Sequence, residues 1–492
     1  MEWLTVLPPL IAIVVVMWKK EVIMALLVGV FSSELLLAYK AAEQVQTNFI
    51  FMAFIGFIER IISVVSSPSN ARLLIFSLLI GTLLAYVRNS GGVSALVEKL
   101  VNKGIAKSKR QVGAVTFLTG IVIFIESNLS VLTAGILSRG LFDKFKMSRA
   151  RLAFIIDSTS APVCILILLN GWGAYILGLL GNYDLGESTM SVLWGTVPFN
   201  FYAIIALLLV LYTIVSDKTY GPMRETELKL NQPILLNQSN QLTDSTEQNK
   251  NTQIEETLVE ETLVEETLIK PTKARFMLIP LLTMIVGMFF FMFWTGKGYI
   301  TQGSGGASVL YATVSACVVA YFLLYFSKRY SHQELVDLGF KGMSELLPLV
   351  TIVLFSLTLG ASLKELGTGL FIAGVVGDYL PLVLIVPMLF LAGAVISFST
   401  GTSWGTFAIL IPIAAPLIQT LGLPPSLVIA AVLGGGIFGD HCSPISDTTC
   451  VSAIASGCGL LEHVKTQLPY AIFGGALTLI AYIIASIVMI GL

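Results

Sequence analysis

The sequence predicts an all-α polytopic membrane protein made of two inverted repeats, each carrying a re-entrant helical hairpin and a broken transmembrane helix, with about 10–12 spans in all. Three observations predict it. The first is composition: 55% of the 492 residues are hydrophobic and only 12% charged, with a mean hydropathy of +0.85, whereas a soluble domain carries roughly 25% charged residues. The second is one long polar segment, 216–275, that divides the chain in two. The third is that short polar motifs recur in the same order on either side of it. "GTLLAYVRNSGG" parallels "LTLGASLKELGTG", "FIESNLSVLTAGIL" parallels "FSTGTSWGTFAIL", and "DSTSAPVC" parallels "DHCSPISD". Duplication of a membrane chain is the mark of a secondary transporter with its site at the repeat interface.

The first repeat is assigned to 1–215. "MEWLTVLPPL" lacks a basic n-region, so its apolar stretch reads as a retained span. Spans near 3–17, 22–38, 72–87, 152–170 and 190–215 supply five crossings, if 48–66, which carries Glu59 and Arg60, lies at the interface. Between the third and fourth, residues 111–125 and 129–138 are apolar but short and flank Glu126, Ser127 and Asn128. Lys99, Lys103, Lys107, Lys109 and Arg110 precede this unit; Arg139, Lys144, Lys146, Arg149 and Arg151 follow it. Positive-inside bias puts both clusters in the cytoplasm, which makes the unit a hairpin with Glu126 to Asn128 at its tip.

Residues 216–275 include "EETLVEETLVEETLI", a pentad repeated three times. Period five suits neither a helix face nor a strand face, so this reads as a disordered polar linker. The second repeat, 276–492, has its hairpin near 382–418 with Thr402 and Ser403 at the break, and no Lys or Arg occurs between Glu365 and Leu427. Entry from the outside follows, and with it inversion of the repeats.

Each half then interrupts an apolar span with a proline-bearing run of small polar residues: "DSTSAP" at 157–162 and "GDHCSPISDTT" at 439–449. Proline removes a backbone donor, so freed carbonyls and half-helix ends face a cavity. Hard oxygen ligands gather there, which suits Na⁺; a buried Asp alternatively holds a proton. A mid-membrane aspartate costs at least about 2.5–3.5 kcal/mol on insertion scales and is by default functional. Asp440 and Asp157 are therefore the Na⁺ candidates, and either cation or proton removes the penalty in competition.

"GDHCSPISDTT" resembles the signature of the NhaC family of Na⁺/H⁺ antiporters, within the larger ion-transporter superfamily. The resemblance covers nearly the whole hydrophobic chain outside the linker. It implies two inverted repeats moving as an elevator against a scaffold, and binding roles for Asp440, Ser443, Asp447, Thr448 and Thr449. Glu126, Ser127, Asn128, Asp157, Ser158 and Thr159 join them through the internal repeat, with Thr402, Ser403 and His441 as further candidates.

Other roles are open for several of these. Asp440 and Asp447 fit helix capping, Glu126 fits pairing with a basic loop residue, and His441 fits a hydrogen-bonded core residue. Trp172 and Trp404 read as packing groups. His441, Cys442 and Cys450 lack the second paired element of a zinc site, and the five cysteines lie in or beside apolar runs, not in a disulfide framework. A net charge of −1 gives no basic footprint for nucleic acid. No nucleophile–base pair points to an enzyme and no cofactor is expected. The reading is a Na⁺/H⁺ antiporter of the bacterial inner membrane whose partners are Na⁺, H⁺ and the lipid bilayer. A homodimer is admitted, and the alternative is Na⁺- or H⁺-coupled symport or exchange of a small organic acid or amino acid.

Overall fold

The computed structural model describes residues 2–45, 48–92, 95, 108–124, 126–168, 170–181, 183–231, 272–299 and 303–491. Among these residues the regular structure is helical throughout. Eleven helices are long and apolar enough to cross a membrane, or twelve if the bent pair Arg149–Leu166 and Gly171–Leu180 is one span.

Both halves follow one order. The first has Val22–Val45, Phe49–Ser66 and Pro68–Asn89, then hairpin 1 (Lys109–Val122 and Ser127–Lys144), then a helix broken between Arg149–Ser158 and Ala161–Leu166, and finally Phe201–Ser216. The second has Arg275–Thr295, Gly305–Phe326 and His332–Leu366, then hairpin 2 (Leu382–Thr400 and Ser403–Leu421). A helix broken between Pro425–Cys442 and Asp447–Ser456 follows, and Leu460–Ile490 ends the half.

The hairpins enter from opposite ends. At the base of hairpin 1, Arg149 pairs with Asp143 at 3.2 Å, close to where Arg151 meets Asp217 at 2.8 Å. At the base of hairpin 2, Gln419 donates to the Asp184 carbonyl at 2.6 Å, and Ser426 to that of Val192 at 3.1 Å. Phe201–Ser216 runs between the two ends, and the hairpin tips meet midway on one cavity. That is the inversion expected from the charge pattern.

Three boundaries differ from the sequence reading. Phe49–Ser66 is long and apolar enough to cross rather than lie at the interface, whereas Trp3–Lys19 is apolar but shorter than the helices that can. Arg60 of Phe49–Ser66 does not face headgroups alone: it pairs with Glu34 at 2.8 Å and Glu365 at 2.5 Å, fastening neighbouring helices. The arms of hairpin 2 have 19 residues each, longer than a short re-entrant segment. They fold back at Gly401, whose φ of +68° is the left-handed conformation glycine adopts freely. Finally, the polar segment does not begin as a linker at 216. Gly221–Asn231 is a helix held by Glu227, which accepts from Ser148 N at 2.9 Å, and by the Tyr470 hydroxyl, which accepts from Tyr220 N at 2.7 Å. The pentads fall in 232–271, outside the described residues.

Pro425–Cys442 is the central helix, with Leu427 through Leu433 all 0% exposed; a helix apolar on every side belongs inside. In lipid, apolar burial gives helices little reason to associate, so close packing of small residues takes over. Gly81 and Gly342 let Pro68–Asn89 and His332–Leu366 touch backbone to backbone: a Cβ on either would strike the other's carbonyl. Thr82 donates across this contact to the Gly339 carbonyl at 3.1 Å, and Tyr86 to that of Leu335 at 3.0 Å.

Gly342→Ala is therefore expected to lower the melting temperature in detergent, with overpacking costing about 1–3 kcal/mol. Gly140→Ala, whose Cβ meets nothing within 4 Å, is expected not to lower it.

Candidate functional site

Both helix breaks are built by hydroxyls. Pro162 cannot donate, and the chain turns at Ser160, with φ −96° and ψ −91°. Thr159 Oγ1 donates to the Ile155 carbonyl at 2.8 Å and Ser160 Oγ to that of Asp157 at 2.7 Å, each adding to the backbone N–H that the same carbonyl already accepts and so fixing the last turn before the break. In the second half Ser443 donates to the Phe398 carbonyl at 2.8 Å, while Ser446 caps Asp447–Ser456 by accepting from Thr449 N at 3.4 Å. Ser446 also shares a hydrogen bond with Thr448 at 3.0 Å, and Thr449 Oγ1 reaches the Asp440 carbonyl at 3.4 Å.

The structure distributes the candidate residues over three adjoining places. The first is a cavity of about 280 Å³ between the hairpin tips, lined by Glu126, Ser127, Asn128, Thr402, Trp404 and Asp447 among others. Among the described residues Glu126 pairs with no basic side chain; it caps Ser127–Lys144, accepting from Asn128 N at 3.0 Å and Leu129 N at 2.6 Å. Asp447 opens into the cavity as the first residue of its helix and accepts a hydrogen bond from the Asn128 side chain. Trp172 packs against Trp404 with ring centroids 4.9 Å apart, and Tyr175 does so at 4.6 Å.

The second place is Asp440, 2% exposed. It lies one turn before the end of Pro425–Cys442 and caps nothing; its Oδ2 accepts from Ser403 of hairpin 2 at 2.9 Å. The third is Asp157, 0% exposed, whose Oδ2 accepts from Gln467 Nε2 at 2.6 Å and lies 3.4 Å from His463 Nε2. His441 is a core residue here: one ring nitrogen is 3.1 Å from the Tyr202 hydroxyl and the other 3.2 Å from the Asp157 carbonyl oxygen. Ser158 lines a small void beside it with Gln467.

Oδ1 of Asp157 and Oδ1 of Asp440 each lack a hydrogen-bond partner. Buried polar atoms are almost always partnered, so each oxygen keeps an unused acceptor position. No group of three or more His, Cys, Asp or Glu side chains among the described residues is arranged to hold a metal.

Sequence reasoning missed four residues. His463 and Gln467 lie in "LLEHVKTQLPY", which reads as a solvated helix start; their spacing of four, placing both on one face, was the available signal. Asn170 caps Gly171–Leu180 and donates to the carbonyls of Phe124, Cys164 and Ile167 at 2.8–2.9 Å. Glu345 lines the cavity and is held by Arg88, one of whose guanidinium nitrogens donates to both carboxylate oxygens at 2.7 and 2.8 Å.

Residues 163–487 match the model of the Na⁺/H⁺ antiporter family. The chain is similar to an uncharacterised protein of Haemophilus influenzae, 30% identical over 99% of this chain and 92% of that one. It is also similar to the malate-2H⁺/Na⁺-lactate antiporter of Bacillus subtilis, 34% identical over 31% of this chain and 33% of that protein. Its fold resembles the crystal structure of the YdaH transporter of Alcanivorax borkumensis, with a TM-score of 0.54 at 13% identity over 88% of this chain and 87% of that one.

Gln467→Met removes the donor to Asp157 while keeping the side chain's length. Stability is expected to fall by about 1.5–3 kcal/mol, the usual worth of a hydrogen bond to a charged group, read as a lower melting temperature in detergent. Asp157→Asn added to that variant is expected to recover part of the loss, because no buried carboxylate then waits for a donor.

Proposed function

Because the chain belongs to the Na⁺/H⁺ antiporter family, we propose that it exchanges Na⁺ for H⁺ across the cell membrane on the carboxylates of Asp440 and Asp157, by alternating access. The observation that carries this is the pair of unpartnered oxygens. Each belongs to a carboxylate no more than 2% exposed, at equivalent breaks in the two halves. Charge buried without a partner is costly, and a proton or a Na⁺ relieves it equally well, but not both at once. Mutual exclusion on one oxygen is the elementary step of exchange. Glu126, Ser127, Asn128, Thr402 and Asp447 form the chamber from which the ion arrives, while Ser403, Ser443, Thr448, Thr449, Ser158 and Thr159 hold the two breaks in shape. In the elevator form of the mechanism, the hairpins and broken helices slide as one body against the scaffold made by Pro68–Asn89 and His332–Leu366.

A second reading, coupled exchange of a small organic solute, is favoured by the chamber's volume. At about 280 Å³ the chamber far exceeds the roughly 10–15 Å³ that a single buried water needs, and it is far larger than one bare cation requires. The Bacillus subtilis relative, by its name, moves organic acids with Na⁺ and H⁺.

In proteoliposomes loaded with a pH-sensitive dye, adding Na⁺ or Li⁺ is expected to drive proton flux that Asp440→Asn and Asp157→Asn abolish. Apparent Na⁺ affinity should weaken as pH falls, tenfold per pH unit per displaced proton once below the site's pKa, or about 1.4 kcal/mol. Full cation-driven flux in both variants would overturn the assignment. Na⁺ affinity independent of pH would overturn competition.

A further inference from the structure

The chamber between the hairpin tips carries features that Na⁺ alone does not use. Three carboxylates line it, those of Glu126, Glu345 and Asp447. No Lys or Arg among the described residues lines it, and Arg88, which pairs with Glu345, is already engaged, so the balance left to a ligand is negative. Glu126 spends two lone-pair positions on backbone donors, and a carboxylate has about four. Asp447 is accessible from the cavity.

Opposite these acids stands a braced aromatic wall. Trp404 is half-buried, whereas Trp172 and Tyr175, which line the same cavity and pack against it, are 3% and 1% exposed. Tyr175 fixes its place through a hydrogen bond from its hydroxyl to the Trp404 carbonyl at 2.8 Å. An indole held at the edge of a cavity of about 280 Å³ beside carboxylates offers both parts of ammonium recognition: a quadrupole for the charged head and an apolar face for the carbon body. A hydrated Na⁺ gains nothing from that face.

We infer that the hairpin-tip cavity binds a small organic ammonium solute, its charged nitrogen at Asp447 and Glu126 and its carbon body against Trp404. This rests on the second reading above, in which the chamber holds an organic solute, and it names the class. Small organic anions are excluded by the same charges: lactate or malate would face three carboxylates with only an engaged arginine in reach.

The test uses the full chain in nanodiscs, with n-butylammonium and 1,4-diaminobutane as cationic probes and lactate and malate as anionic ones, read by calorimetry and by tryptophan fluorescence. Both amines are expected to bind and neither acid to do so. Asp447→Asn should weaken amine binding tenfold or more. Trp404→Leu should weaken it about 2- to 30-fold, the range of cation–π contributions, while Trp404→Phe retains most of it. Arg88→Gln should tighten amine binding, a gain that misfolding does not produce. Binding of lactate or malate without the amines would overturn the inference and leave the organic-solute reading standing. If no organic probe binds while Na⁺-driven proton flux persists, the inference and that reading fall together and the ion exchanger remains. Amine binding indifferent to Asp447→Asn and Trp404→Leu would place the ligand elsewhere and overturn the inference.

Discussion

The Asn170 side chain closes carbonyls left open by hairpin 1 and by the end of Ala161–Leu166, and its oxygen caps the helix that follows. That single amide illustrates the constraint on which the site depends. Helices that stop inside a membrane expose backbone groups with no water to receive them, and each must find an internal partner. Thr159, Ser160, Ser443, Ser446 and Thr402 answer the same demand at the other ends. Once they do, the helix turns beside the breaks are free to carry carboxylates, because the backbone no longer competes for every donor. Asp157 and Asp440, each in the last turn before a break, retain one oxygen without a hydrogen-bond partner.

This is also why so much of the site was legible in the sequence. A run of Ser, Thr, Asp and Pro inside an apolar span is chemically conspicuous, so the two breaks and hairpin tips could be marked from residues 126–128, 157–162, 402–403 and 439–449 alone. Their pairing by internal repeat placed the expected site at the repeat interface, and the two tips line one cavity. His463 and Gln467 were not legible, because their burial comes from Leu460–Ile490 docking against Arg149–Ser158, a tertiary event that local composition does not record. Glu345 and Arg88 likewise read as ordinary charges near a helix end. The roles of 3–17 and 48–66 turned on helix length and on Arg60, whose two glutamate partners come from segments distant in the chain.

The two halves are interleaved rather than juxtaposed. Asp157 from the first break is served by Gln467 and His463 of the last helix, and Glu126 of hairpin 1 shares its cavity with Asp447 of the second break. Duplication supplied two similar sets of parts. Each carboxylate site nevertheless draws on both, so a change in one half is felt in the other.

Interleaving also sets a clock on biogenesis. Arg139 at the base of hairpin 1 donates to the carbonyls of Ala455 and Ile454, capping the C-terminal end of a helix 316 residues further along in the case of Ala455. At about 5–20 residues per second, the ribosome needs roughly 15–60 s to make that partner. Through that interval the nascent hairpin waits for the acceptors that fasten its base, next to Lys144 and Lys146. Its final docking is thus a late event, completed only after Asp447–Ser456 has been made.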